Sequence, residues 1–270
     1  MPKYYKSKFY DSPIEVLNDN GDVSVTIKDC FGRKSIYSWY NLEDKNSQSH
    51  YINKCLLGGF LQQDIKNILV IGVGGGAFVK YLEDHVPGVT ITGIEIDEAM
   101  IEIAQKELNI KSKDMIVGDI SDVIDQLSDR GAYYDLILFD VYGGTGEIPK
   151  SVTNNDLFLK LKSLLENDGI FSINYSNFYP LGESFIDISV SKYYKTIHKS
   201  LQDVFGGNFL AFLSGESEGG NVAGIYNLKK KHTLNEIKSI YYKKVQSNEI
   251  ILDSRIIEGI YLDNLGNFLA

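Results

Sequence analysis

Hydrophobic and polar positions change period several times along the chain, and each change marks an element. Ile14 to Leu17 and Val23 to Ile27 flank the turn formers Asn18-Asp19-Asn20-Gly21-Asp22 and predict two antiparallel strands, with Ser35 to Tyr40 a third. Ser49 to Leu61 has helical spacing and is expected to end at Gly58-Gly59. Strands and helices then alternate. Strands are predicted at 68–71, 90–95, 114–117, 134–139 and 169–175, and helices at 77–84, 98–108, 121–127, 154–165 (capped by Thr153) and 189–205. The almost wholly apolar run Tyr134 to Phe139 suits a strand buried on both faces, hence a parallel sheet with helices on each side. Asn208 to Leu213 and Asn221 to Leu228 are joined by a link too short for a crossover helix, so they close the sheet as an antiparallel pair. The expectation is an α/β protein with a seven-stranded, mostly parallel sheet and a small N-terminal antiparallel β-sheet. It divides into a β unit over 1–50, an α/β unit over 51–231, and a helix and apolar tail over 232–270 that pack on it.

Composition narrows the function classes. The 270 residues carry a net charge of −9, which repels phosphate backbones and disfavours nucleic acid. No run is long and apolar enough to span a membrane, and the first residues lack the apolar core of a signal peptide, so a cytoplasmic location is expected. Cys30 and Cys55 are expected to be buried thiols rather than a disulfide. The four histidines lack metal-ligand spacing, and no metal is expected. A small sheet cannot bury both its faces alone, so packing on the main unit or self-association as a homodimer or higher homo-oligomer follows.

The candidate chemistry lies where strands end. Gly72, Gly74, Gly75 and Gly76 follow the first strand of the α/β unit and precede a helix, the context of a turn that lets a nucleotide-like ligand approach the backbone. Glu95, with Ile96 beside it, lies 19 positions after Gly76 and ends the second strand, near the offset at which an acid reaches a ribose diol. Asp119 and Ile120 follow the third strand and suit an adenine amino group and ring, although Asp119 can also simply cap the next helix. Asp140 ends the fourth strand; it can take the proton of an attacking amine, bind the ligand's own amino group, or cap the following loop. Tyr142 to Pro149 is a glycine-rich candidate lid, and Tyr51 a candidate aromatic wall at the acceptor. Gly72-x-Gly74-x-x-Ala77 also fits a dehydrogenase fingerprint; the series of acids and the terminal hairpin favour a sulfonium cofactor.

The segments ILVIGVGGGAF, GIEIDEAM, IVGDISDVI, YYDLILFDVYGG and IPKSVTNNDLF resemble, in order and spacing, the spermidine synthase family of aminopropyltransferases. That resemblance implies a Rossmann-like methyltransferase fold, Glu95 on the ribose, Asp119 and Ile120 on the adenine, and Asp140 as the acid receiving the attacking amine. The chain departs from the family where acids are usual: Gly75 replaces the aspartate of the glycine turn, Gly143 a second aspartate after the fourth strand, and Tyr51-Ile52-Asn53 a Tyr-His-Glu. A dicationic substrate is costly to desolvate without carboxylates, so ordinary diamine chemistry is disfavoured. The expectation is a transferase that uses S-adenosylmethionine, or its decarboxylated form, to alkylate an amine or similar small-molecule nucleophile. Methyl or aminocarboxypropyl transfer is preferred over aminopropyl transfer, and a non-catalytic nucleoside-binding protein is the remaining alternative.

Overall fold

A computed structural model describes residues 1–28, 32, 34–45, 50–61, 65–143, 147–178, 185–206, 208–214, 220–229, 232–246 and 260–262. Four strands, β1 (Lys3–Tyr5), β2 (Ile14–Asp19), β3 (Asp22–Lys28) and β4 (Lys34–Asn41), form an antiparallel meander in that order. Asn20 and Gly21 both adopt positive φ, 51° and 87°, as a two-residue hairpin turn requires, and Asp19 pairs with Asp22 across it. The alternation of β3 buries Val23, Val25 and Ile27 on one face. That face does not stand alone: it shares a core with Leu56, Phe78 and Leu82 of the helices beside it.

The second sheet has the order β12-β10-β11-β9-β8-β5-β6-β7. Its strands are β5 (Asn67–Ile71), β6 (Thr90–Glu95), β7 (Asp114–Val117), β8 (Tyr134–Phe139), β9 (Leu165–Phe178), β10 (Leu210–Ser214), β11 (Gly220–Tyr226) and β12 (Ile260–Leu262). From β7 to β9 all pairings are parallel; β11 lies antiparallel between β9 and β10. The seven expected strands are therefore present in methyltransferase order, and β12, from the apolar tail, adds an eighth at the edge. Helices α1 (His50–Phe60), α2 (Ala77–His85), α3 (Glu98–Glu107) and α7 (Leu234–Gln246) contribute to the core on the side of the small sheet. Helices α4 (Ile120–Asp129), α5 (Asn155–Ser163) and α6 (Phe185–Phe205) cover the other.

Two expected caps differ. Gly58 and Gly59 lie inside α1 rather than ending it, because a Cβ at Gly58 would stand 2.6 Å from Ile225 and one at Gly59 2.8 Å from Leu136. Glycine weakens a helix by about 1 kcal/mol, but here it lets α1 lie directly on β11 and β8. Helix α5 is capped by Asn154, whose side chain accepts from the Leu157 N–H, not by Thr153. Cys55 is a buried free thiol, and Cys30 lies outside the described residues. Among the described residues no helix is long and apolar enough to cross a membrane, and no cluster of three or more His, Cys, Asp or Glu could hold a metal ion.

Candidate functional site

The chain leaves β5 for β6 and β7 on one side and for β8 and β9 on the other, so the topological switch lies between β5 and β8. Ligands of open α/β sheets bind beyond the carboxyl ends of the strands at such a switch. A cavity of about 890 Å³ opens there, within the size range of small-molecule sites. The strand ends form its floor, and Phe9, Tyr10 and residues 34–38 of the small sheet also line it.

The four glycines of the turn separate into two pairs. Gly72 and Gly74 line the cavity, and Gly74 takes a φ of 53°. Gly72 also lies where β5 meets β8, since a Cβ on it would come within 2.2 Å of the Asp140 carbonyl oxygen. Gly75 and Gly76, expected to contact the cofactor, are outside the lining. A Cβ at Gly75 would stand 2.6 Å from Val25 Cγ2 and 2.7 Å from Ser38 Cβ, and one at Gly76 2.6 Å from Ala104 Cβ. These two are packing glycines, one seating the small sheet on the turn and the other seating the turn on α3.

Glu95 is buried, yet its carboxylate is held in the cavity wall. The Gly74 N–H donates to Oε2 at 2.7 Å and the Asp97 N–H to Oε1 at 3.0 Å, leaving lone pairs on both oxygens for a diol. Burial raises its pKa, which the backbone donors partly oppose. Ile96 lines the same wall and is 41% exposed, a large apolar side chain open to a ligand. Asp119 caps α4 through the Ser121 N–H at 2.8 Å, and both it and the buried Ile120 border the cavity. The capping reading of Asp119 is thus realised, with its second oxygen outside that bond.

Asp140 sits at the end of β8, tied to β5 by its own N–H to the Ile71 carbonyl. Asn174 Nδ2 donates to its Oδ1 at 2.8 Å, and the Tyr51 hydroxyl lies 3.5 Å from Oδ2. Burial pushes the Asp140 pKa up to about 7 against these donors. Tyr51 projects from α1 and meets Phe78 edge-on at 5.6 Å. The Tyr142 hydroxyl donates to the Asn174 backbone carbonyl, which fixes its ring beside Asp140. Of the candidate lid, residues 144–146 lie outside the described residues; Gly143 N–H bonds the Glu147 carbonyl at 2.9 Å and so closes the loop at its base.

Asn174 was not among the expected site residues. It is 2% exposed on β9, and its signal in the sequence is a side-chain amide inside the apolar run Ile170 to Tyr175, where a buried polar group needs a partner. The contributions of Phe9, Tyr10 and Tyr37 have no local signal, because tertiary packing alone brings them over the strand ends.

Residues 62–238 match the family described as a methyltransferase domain. The chain is 31% identical over 116 residues to the eEF1A lysine and N-terminal methyltransferase of Mus musculus, a stretch that is 40% of this chain and 17% of that protein. It is 26% identical over 165 residues to the polyamine aminopropyltransferase of Chromobacterium violaceum, covering 58% of this chain and 60% of that protein. In structure it is similar to a probable spermidine synthase from Corynebacterium glutamicum, with a TM-score of 0.67, 18% identity, and coverage of 91% of this chain and 87% of that one.

Proposed function

The chain belongs to the methyltransferase domain family, and we propose that it binds S-adenosylmethionine across its strand ends and transfers one carbon substituent of the sulfonium to an amine. One observation carries this reading: Glu95, oriented by the glycine turn, and Asp140, half-ionised near neutral pH, face one continuous cavity at the topological switch. Glu95 would hold the ribose diol, Ile96 and Ile120 the two sides of the adenine, and Asp119 its amino group. When bound, the donor supplies an electrophilic carbon: a nitrogen–carbon bond forms as the carbon–sulfur bond breaks, and its electron pair stays on sulfur as a neutral thioether. Asp140 receives the proton the amine loses, while Asn174 and Tyr51 hold its two oxygens in place. Positioning supplies much of the rate, since the sulfonium is already a good leaving group.

The resemblance to polyamine aminopropyltransferases supports a second reading, aminopropyl transfer from decarboxylated S-adenosylmethionine. Gly75 favours the first, because the contacts of Val25 and Ser38 leave no room for an acid that would grip an aminopropyl group. Calorimetry with both donors, followed by mass spectrometry of the products, decides. Intact donor binding at least tenfold more tightly, about 1.4 kcal/mol, with release of S-adenosylhomocysteine or methylthioadenosine, is expected. Tighter binding of the decarboxylated donor would establish the second reading, and binding without turnover of any nucleophile a non-catalytic protein. We expect a homo-oligomer, consistent with Tyr4 and Leu17 exposed on the small sheet; a monomer in light scattering would exclude it.

A further inference from the structure

A band of aromatic rings crosses the cavity above the strand ends. Tyr37 carries it over the topological switch. Its backbone carbonyl oxygen lies 3.9 Å from where a Cβ on Gly74 would stand, and its hydroxyl lies 3.5 Å from the Gly143 carbonyl oxygen. The ring therefore spans from the turn that orients Glu95 to the loop that follows Asp140. Tyr10 meets it edge-on at 5.5 Å, and Phe9 meets Tyr10 edge-on at 5.2 Å. All three rings line the cavity.

The band is fastened at its Glu95 end. The Ser7 hydroxyl donates to Asp97 Oδ2 at 2.5 Å and accepts from the N–H groups of Phe9 and Tyr10 at 2.8 and 2.7 Å. The Asp97 N–H in turn donates to Glu95, so one chain of hydrogen bonds sets both the carboxylate and the rings above it. Burial, with Tyr37, Glu95 and Asp97 close by, pushes the Tyr10 pKa up and keeps its ring uncharged. The face of such a ring is negative, and a cation within about 6 Å of its centre gains roughly twofold to thirtyfold in affinity. With a ribose at Glu95 and a reacting carbon at Asp140, the sulfur between them lies under Tyr37.

We propose that Tyr37, with Tyr10 behind it, forms a charge-sensing roof that favours the positively charged sulfonium of the donor over the neutral thioether left after transfer. This rests on the reading of the cavity as a sulfonium-donor site. It applies to the intact and the decarboxylated donor alike, since both carry the charge on sulfur. When the carbon–sulfur bond breaks, the electron pair left on sulfur removes the charge, and the attraction that held the donor no longer holds the product.

Calorimetry with S-adenosylmethionine and S-adenosylhomocysteine tests the roof, because the two differ by one methyl group and the charge on sulfur. Where the decarboxylated donor is the one that binds, it and its demethylated thioether form the pair. Glu95 and Asp140 also attract the cation, but both remain in variants of the tyrosines, so the change on substitution isolates the rings. Tyr37→Leu and Tyr10→Leu each keep an apolar contact and remove the aromatic face. At one or both positions, affinity for the sulfonium should fall by about fivefold while affinity for the thioether changes less than about twofold. Tyr37→Phe and Tyr10→Phe keep the face and should stay within about twofold of wild type for both ligands. Should one leucine variant fail to fold, the other carries the test. Equal weakening of both ligands, as lost packing gives, would overturn the inference. So would leucine variants that leave sulfonium affinity unchanged, or phenylalanine variants as weak as the leucine ones. Binding of neither donor would instead remove the reading on which the inference rests.

Discussion

In the proposed reaction Asp140 connects stability and catalysis with opposite signs, and replacing it by asparagine separates them. Burial raises its pKa from 3.8 to about 7. Between those values the folded protein holds a proton that the unfolded chain has released, so stability falls as pH rises from about 4 to 7 and stays reduced above. At about 1.4 kcal/mol per unit the full penalty is about 4 kcal/mol; water in the open cavity screens part of it, which leaves about 1–3 kcal/mol. Asp140→Asn removes the charge and keeps an oxygen to accept from Asn174 Nδ2, while the new amide N–H can donate to the Tyr51 hydroxyl. The variant should be more stable than wild type by about 1–3 kcal/mol at pH 8 in urea unfolding, and the gain should vanish near pH 4. Its turnover should fall by about 10²–10⁴-fold, with donor affinity changed less than threefold. In the wild type, kcat/KM should rise about tenfold between pH 6 and pH 8 as the carboxylate ionises. An Asp140→Asn protein no more stable than wild type at pH 8, or equally stabilised at pH 4, would show that no buried charge is being relieved.

Three further predictions test other parts of the structure. Gly75→Ala places a methyl group 2.6 Å from Val25 and 2.7 Å from Ser38 and should cost about 1–3 kcal/mol; in a double-mutant cycle with Val25→Ala part of that cost should disappear, and additivity would contradict the packing. Glu95→Gln keeps the acceptor for the Gly74 N–H but loses the charged partner of a diol, so calorimetry should show donor affinity reduced by about tenfold or more, and an unchanged affinity would remove Glu95 from the site. His198 is buried beside the Tyr226 hydroxyl at 2.6 Å, and burial lowers its pKa to about 4. The unfolded chain therefore binds the extra proton between about pH 6.5 and 4, and about 2–3 kcal/mol of stability present above pH 6.5 should be lost as pH falls through that window; His198→Gln should flatten the slope, and an unchanged slope would place the titration elsewhere.

The parts of the site on the sheet were legible because their signals are local. An apolar run followed by glycine or an acid locates the ends of β5, β6, β7 and β8, and the structure ends all four strands at the expected residues, Ile71, Glu95, Val117 and Phe139. Where a signal is weak or ambiguous the expectation drifts. Strand β1 has only Lys3-Tyr4-Tyr5, two of them exposed, and no alternation to announce it. Strand β9 begins at Leu165 rather than Gly169: Leu165 pairs with Tyr134, the polar residues Glu166 to Asp168 fall in a register shift, and pairing with β8 resumes at Ile170 opposite Leu136. Two glycines read as the end of α1 are instead where it presses on the sheet.

The wall over the strand ends was not legible, and Gly75 shows why. Read along the chain, its missing side chain speaks only about the ligand: an acid is absent, so a carboxylate-bearing donor is tolerated. In three dimensions the same absence is required by Val25 and Ser38, residues 50 and 37 positions upstream, which occupy the space a side chain would need. Ser38 Oγ also accepts from the Ala77 N–H at 3.3 Å and so fastens the small sheet to the start of α2. A side chain in this turn would force Val25 and Ser38 of the small sheet to shift. The donor's reactive end would then meet a surface set by how the first strands pack rather than by the turn alone. Donor choice, if the proposed reading holds, is thereby coupled to the seating of β3 and β4, so a substitution at Val25 that loosens that seating should alter donor preference without touching a residue of the cavity lining.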